Sequence, residues 1–485
     1  MSDSSLKQKT AKGLLWGGFG TGIQQVLNLL FGVALARLLD KTDYGMVGVL
    51  AIFAGIANVL LSSGFGAALI NKRDLKHRDC NAVFWFNILM GAFLYIVLFF
   101  CAPLIARFFN EPSLIPLSRY FFLAFFIGSS AGVHNAMLTR NLMVKQKAIS
   151  QMPAMIISGS IGVFMAWNGM SYWGIATQNL TYILVLAICY WHFSPWRPTF
   201  QLDFRPLKEL FGFSSKILIT GTFEQICTNL LSTLIGRFYT KADVGSYTQS
   251  YKWNTMGYSF ITGMISNVAQ PVLAQVADDR ERQQQVFRKM LRFTAFLSFP
   301  AMFGLALIAQ EFIIITITDK WLQCVPMLQV LCLGGAFAPI TTLYTSFIIS
   351  KGKSNIYMWN TILLGLLQLG VMLTVYPYGI STMIRWFVII NIGWLGIWQF
   401  FVWRLIRLTL WNALKDILPF AGIAAVTTTA TWYITSFIDN IYQMLTAKVL
   451  IAIVLYTLLM YLCDAAIFKE SVNYLLKKNK KQRIS

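Results

Sequence analysis

Arg37-Leu-Leu-Asp-Lys-Thr-Asp-Tyr-Gly45 is answered 200 residues later by Arg237-Phe-Tyr-Thr-Lys-Ala-Asp-Val-Gly245. Arg37 matches Arg237, Lys41 matches Lys241, Asp43 matches Asp243 and Gly45 matches Gly245. Upstream, Gln25 and Gln225 hold the same register. Each copy follows a long apolar run, Gly13 to Leu38 and Phe213 to Phe238, and precedes another. A fixed offset with matched flanks marks an internal duplication. Where the flanks are apolar, the architecture this suggests is a membrane transporter built from two related halves.

Composition agrees. The 485 residues are 56% hydrophobic and 12% charged, with mean hydropathy +0.60. A soluble domain carries about 25% charged residues. So few charges cannot cover a globule of this size, so lipid is the expected solvent. Apolar runs of about 20 residues, enough to cross a bilayer, recur along the chain. Fourteen spans are expected, near 14–38, 46–70, 81–102, 117–138, 150–167, 172–192, 213–238, 246–272, 293–317, 325–349, 357–376, 380–402, 417–437 and 447–468. The fifth is broken near its start by Pro153, and the ninth carries Glu311 near its end. The expected fold is an all-α polytopic membrane protein. Residues 1–192 form a first lobe of six spans, 193–212 a cytoplasmic linker, and 213–402 a second lobe of six. Residues 403–485 add spans 13 and 14 and a basic tail.

The net charge of +21 would point to nucleic acid in a soluble protein, but its distribution points elsewhere. Thirty of the 40 Lys and Arg fall in segments on one side of the expected spans, and eight on the other. The positive-inside rule then puts both termini in the cytoplasm, which requires an even number of spans. The tail 477–483 reads as a solvated flank beside anionic lipid. The first apolar run is too long for a signal-peptide core and is expected to remain as span 1. The seven Cys are scattered without a Cys-x-x-Cys pair and read as reduced core residues. No His-Glu-x-x-His, P-loop or dinucleotide fingerprint occurs, so neither a built-in ATPase nor metal catalysis is expected, and no cofactor.

The informative residues are the polar ones inside the runs. Gln24, Gln25 and Asn28 lie near one face of span 1, and Glu224, Gln225, Thr228 and Asn229 repeat the theme in span 7. Amides are costly in hydrocarbon, so such faces should look toward a partner helix or water. Glu224 is an acid near mid-span, open to two readings: an ion-coupling carboxylate, or a structural acid with a partner. Lys252 in span 8 either faces an aqueous cavity, where it meets Glu224 or a substrate phosphate, or snorkels to the interface. Arg119 and Arg385 are edge or lumen residues, and His134 reads as a satisfied interhelical contact. Arg37 and Arg237, with Asp43 and Asp243 six residues on, read as local turn pieces, the acids capping the next helix and Gly45 and Gly245 relieving strain. The stretch Phe204 to Phe211 reads as an amphipathic piece on the inner membrane surface.

At these residues the chain resembles the polysaccharide and oligosaccharide flippases of the multidrug/oligosaccharidyl-lipid/polysaccharide exporter superfamily, in particular the colanic-acid and O-antigen type. The likeness rests on Ala36 to Gly45, on Gly64-Phe-Gly-Ala-Ala-Leu-Ile70, on Gly245-Ser-Tyr247 and on Val268-Ala-Gln-Pro-Val-Leu273. Two positions depart: Lys41 stands where Pro is common, and Ser62-Ser63 where an acid often precedes Gly. The resemblance implies two six-helix lobes around a V-shaped cavity lined by spans 1, 2, 7 and 8, working by alternating access with ion-gradient coupling. It implies an undecaprenyl-diphosphate-linked oligosaccharide as substrate, with a polysaccharide polymerase and chain-length machinery as partners, a monomer in the bacterial inner membrane, and no nucleic acid. Lys252, then Arg119 and Arg385, would meet the anionic head group. Gln24, Gln25, Asn28, Gln225 and Asn229 would meet sugar hydroxyls, and Glu224 would carry the coupling ion. A lipid II or multidrug exporter of the same fold is the near alternative, and an integral-membrane polysaccharide polymerase the distant one.

Overall fold

A computed structural model describes residues 22–62, 65–72, 74–141, 143–276, 278–463 and 467–470. The start of span 1, the Ser62-Ser63 departure and the basic tail therefore lie wholly or partly outside the described residues. Helices occupy each expected run: α1 Gly22–Leu38, α2 Lys41–Gly48, α3 Ala51–Ser62, α4 Phe65–Asn71, α5 His77–Phe108, α6 Leu114–Ser129, α7 Gly132–Arg140, α8 Val144–Trp167 and α9 Tyr172–Phe193. They continue as α10 Arg205–Phe238, α11 Lys241–Gln275, α12 Arg280–Leu307, α13 Ala309–Ile317, α14 Cys324–Gly335, α15 Ala338–Ser350, α16 Ser354–Val375, α17 Ile380–Ile406, α18 Leu410–Thr435 and α19 Ile441–Leu462. Among the described residues ten helices are long and apolar enough to cross a membrane, or eleven when α6 and α7, bent by 43°, count as one span. The chain is a polytopic helical membrane protein. It divides into two compact units, Met1–Ser246 and Tyr247–Ser485.

In the first unit, α8 and α9 form a tight antiparallel hairpin. Its turn needs glycine, since Gly169 has φ +77°. Along the pair, a Cβ on Gly162 would lie 2.9 Å from Gln178 Cβ, and one on Gly174 would lie 3.0 Å from Gly162 O, so small residues let the backbones approach. Helix α8 starts at Val144 and runs through Pro153, which costs one helical hydrogen bond but does not end the span. At the other end of the unit Arg140 closes the last turn of α4, donating from Nη1 to the carbonyls of Leu69 (2.9 Å), Ile70 (3.0 Å) and Lys72 (2.6 Å). A helix C-terminus leaves such carbonyls without partners, and a cation there also meets the dipole.

The connection after α9 is extended and strapped to α5. His77, Asn81 and Trp85, one turn apart on α5, bond the backbone at alternate residues: His77 Nε2 to Arg197 O (3.0 Å), Asn81 with Thr199 N (2.9 Å) and Gln201 O (2.6 Å), and Trp85 Nε1 to Thr199 O (2.8 Å). Trp196 inserts among Phe65, Val83 and Phe84. From Arg205 the chain is one unbroken helix into the seventh apolar run. The stretch Phe204 to Phe211 is therefore the entry and first turns of α10, and its side chains from 208 on lie outside the described residues.

The second unit packs α12 against α14, α15, α18 and α19. Its ninth run breaks at Ile308, giving α12 and the short α13. The late pair α18 and α19 lies against α12 and is fastened to it at both ends, as described below.

Candidate functional site

The repeated motif meets its own copy. Gly45 and Gly245 are both buried. A Cβ on Gly45 would fall 2.0 Å from Lys241 O, and a Cβ on Gly245 would fall 1.8 Å from Lys41 O. Each glycine thus sits on the carbonyl of the lysine four residues before the other glycine, a reciprocal contact of the kind a two-fold axis produces. The reason for glycine here is close approach of α2 and α11, not relief of strain, since neither has positive φ. Asp43 and Asp243 sit at the third position of their helices and accept from the backbone N–H of the preceding cap residue, Asp40 (3.0 Å) and Thr240 (3.1 Å). Asp43 also accepts from the Ser171 hydroxyl. Lys241 pairs with Glu111 in the loop after α5, and Arg237 donates to Phe108 O while lying over the Phe108 ring, 5.1 Å from its centroid.

The amides of spans 1 and 7 part company. On α1, Gln24 is half-buried while Gln25 and Asn28 are exposed. On α10, Gln225 and Asn229 face α3: a Cβ on Gly55 would lie 2.4 Å from Gln225 Oε1 and 3.3 Å from Asn229 Nδ2. Asn229 Nδ2 donates to Gln225 O (2.9 Å) and Oε1 (3.4 Å). Glu224, the next residue round the helix, is exposed. Arg119 is half-buried, with its guanidinium 4.2 Å over the Phe99 ring and Nε 3.4 Å from Phe99 O. His134 is fully buried in a box of aromatic rings, 4.5 Å from Trp191 and 5.4 Å from Trp196, and neither ring nitrogen has a hydrogen-bond partner among the described residues. The expected satisfied contact is thus a packing contact instead, because the residues around the ring are apolar or aromatic.

In the second unit Lys252 is half-buried on α11, its ammonium 5.5 Å over the Trp253 ring. On the same helix Tyr247 OH, both amide atoms of Gln249, Trp253 Nε1 and Asn254 Oδ1 are buried without hydrogen-bond partners among the described residues, on more than one face of α11. Arg385 is exposed on the first turns of α17. Glu224 belongs to the first unit and Lys252 to the second.

Sequence reasoning passed over two ion pairs. Glu311 on α13 and Lys448 on α19 are 4% and 6% exposed, and Lys448 Nζ lies 2.7 Å from Glu311 Oε1. The same ammonium reaches Leu307 O (3.4 Å), a carbonyl left open where α12 breaks. Beside it lies a cavity of about 430 Å³ lined by Gly257, Pro300, Gly304, Thr427, Lys448 and Tyr456, among others. At the opposite end of α12, Arg288 makes a two-pronged bond to buried Asp416 of α18 (Nε–Oδ2 2.6 Å, Nη2–Oδ1 3.0 Å), with Arg292 at 3.6 Å. The only sequence signal for these pairs was an acid or base placed inside or at the edge of an apolar run.

The family model described as Polysaccharide biosynthesis protein matches residues 34–326. The chain belongs to this family. The match takes in both copies of the motif, Glu224, Lys252 and Glu311, and ends before α18 and α19. Among curated relatives, the teichuronic acid biosynthesis protein TuaB of Bacillus subtilis (strain 168) is 26% identical over 399 residues, covering 79% of this chain and 82% of that one. The lipopolysaccharide biosynthesis protein WzxC of Escherichia coli (strain K12) is 24% identical over 358 residues, covering 73% and 72%. Among solved structures, the lipid II flippase MurJ in an inward closed conformation superposes with TM-score 0.75 at 16% identity, over 94% of this chain and 99% of that one. An inward-facing multidrug resistance transporter of the MATE family and MOP superfamily superposes with TM-score 0.61 at 16% identity, over 84% and 96%. This member of the polysaccharide biosynthesis family therefore has the fold of flippases and exporters.

Proposed function

We propose that the protein is a flippase that carries an undecaprenyl-diphosphate-linked oligosaccharide repeat from the inner to the outer leaflet of the bacterial inner membrane, by alternating access, for surface polysaccharide export. The observation that carries this reading is the MurJ-like fold over nearly the whole chain, joined to relatives named for teichuronic acid and lipopolysaccharide synthesis. The task suits the residues. A charged, hydroxyl-rich head group must be hidden from hydrocarbon while its lipid tail stays in the bilayer, so the path needs amides and a cation. Lys252, half-buried on α11 over the Trp253 ring, is the cation proposed for the diphosphate. Arg119, bound to Phe99, and Arg385 are weaker candidates. Gln25 and Asn28, exposed on α1, serve sugar hydroxyls better than Gln225 and Asn229, which are engaged against Gly55. Glu224, exposed on α10, is proposed for ion coupling. The chain is read as fourteen spans in two lobes of six plus a terminal pair, monomeric, with both termini in the cytoplasm. It performs no covalent chemistry.

The test is transport of a fluorescent or radiolabelled lipid-linked oligosaccharide into proteoliposomes by the purified protein. Lys252→Met should lower transport at least about tenfold, the loss expected when a charged hydrogen-bonding partner worth ~1.5–3 kcal/mol is removed, while the protein stays folded and inserted. Normal transport by folded Lys252→Met would reject the head-group role, and unchanged ion dependence in Glu224→Gln would reject the coupling role. Lipid II is the second substrate to run, because the highest structural likeness given above is to a lipid II flippase.

A further inference from the structure

The reciprocal glycine contact has a chemistry suited to opening. Two helix starts touch through backbone, with Gly45 against Lys241 O and Gly245 against Lys41 O. Such a contact is either made or parted, since a gap of even 1 Å forfeits much of its packing energy. Around it the second copy of the motif is held to first-half elements by groups that water can satisfy equally well. Lys241 pairs with Glu111, their side chains 33% and 16% exposed, and Arg237 binds the carbonyl of Phe108. Asp43 of the first copy accepts from Ser171, at the start of α9. A part-exposed ion pair is partly screened by water, which suits a fastening that is remade in each cycle better than one that fixes the fold.

We propose that the Gly45–Gly245 contact is a seal across one end of the transport path, latched by Lys241 and Glu111, and that its parting is the conformational step that opens that end. The inference rests on the flippase reading above and adds to it the place where the duplicated halves of the sequence close on each other. Glu111 and Lys241 are positioning residues: they touch no substrate and set the balance between closed and open forms. The end concerned is the one that the distribution of Lys and Arg assigns to the outside, where Arg37, Lys41, Arg107, Arg237 and Lys241 gather.

The experiment uses the full chain in lipid nanodiscs with Val244→Cys as reporter. Val244 adjoins Gly245 and is completely buried, so a thiol there is reached only when the seal parts. The rate of maleimide labelling at position 244 is read by peptide mass spectrometry, which separates it from the native cysteines. Glu111→Gln should speed labelling about two- to fivefold, as expected for a part-exposed pair. The exchange Glu111→Lys with Lys241→Glu should restore the slow rate. Gly245→Ala, which drives a methyl into Lys41 O, should speed labelling about tenfold or more and abolish transport. Labelling at the parental rate in Glu111→Gln, or a charge exchange that stays as fast as the single variant, overturns the latch. Parental labelling in Gly245→Ala overturns the seal. Labelling needs no substrate, so these outcomes stand apart from transport: a latch that behaves as described in a protein that moves no lipid-linked sugar leaves the seal intact and rejects the flippase reading.

Discussion

Lys448→Met should unfold the second unit more readily than any exposed substitution. The ammonium and the Glu311 carboxylate are almost entirely buried, 8% and 6% exposed by side chain, and separated by 2.7 Å. Glu311 Oε2 has no partner among the described residues, so the Lys448 bond to Oε1 is the main compensation for burying this charge. Removing one member of a buried pair strands the other, at a cost of ~3–5 kcal/mol. Lys448 also satisfies Leu307 O at the break between α12 and α13. For a unit of this size each kcal/mol moves the melting temperature by about 2–4 °C, so the expected loss is roughly 6–20 °C. Glu311→Leu should cost a similar amount, because the stranded group is then an ammonium beside an apolar cavity. The double variant Glu311→Leu with Lys448→Met should recover most of the loss, since an apolar pair of similar volume often replaces a buried ion pair without penalty. The assay is thermal unfolding of the detergent-purified protein followed by size-exclusion fluorescence, with all three variants run beside the parent. Single-variant shifts under about 2 °C, or a double variant as unstable as the two losses added, would refute the reasoning.

Two further outcomes follow from the other fastenings. Asp416→Asn keeps the shape but removes the charge that Arg288 and Arg292 share, and should destabilise by about 2 kcal/mol, discounted because both arginines are about one-third exposed; a melting temperature equal to the parent would show that the α12–α18 contact does not need the ion pair. Asn81→Ala removes two bonds to the strap after α9 and should raise proteolytic cleavage between Ser194 and Asp203 by about thirtyfold, if each bond contributes ~1 kcal/mol; unchanged cleavage would mean that His77, Trp85 and Trp196 hold the strap without it.

Helix positions were legible because hydrocarbon imposes them. Each expected apolar run carries a helix, including the long α10 and α11, whose polar residues dilute their hydropathy below what length alone would suggest. Breaks were less legible. The second run is three helices, and the ninth splits at Ile308, since a local break depends on which carbonyls and amides find partners elsewhere. At the second of these breaks, Lys448 supplies a partner for Leu307 O from 141 residues away, which no window of local sequence contains. The linker reads from sequence as the longest polar connection, yet its register on α5 rests on His77, Asn81 and Trp85, spaced for a helix, meeting alternate residues of an extended segment.

The repeated motif shows how far sequence symmetry reaches toward mechanism. Four matched residues in nine set the two copies apart as a duplication, but suggested only that each copy builds its own turn. The structure gives the acids that local role, in cap bonds to Asp40 and Thr240. It gives the glycines a different one, because each is seated on the backbone of the other copy. Identity of spacing explains why. If a duplicated segment packs against its duplicate about a two-fold axis, any residue on that axis that must be small in one copy must be small in the other. Matched glycines therefore record a contact between repeats, whereas matched acids three residues inside a helix start record only a shared cap. The matching acid position behaves differently in each half: Lys241 meets Glu111, whereas residue 311, 200 residues on from 111, is the glutamate that Lys448 holds on α13. Positions 111 and 311, separated by the same 200 residues as the motif copies, thus carry two ion pairs that differ in burial, part-exposed in the first unit and buried in the second, and under the proposed seal the part-exposed one is the pair that parts.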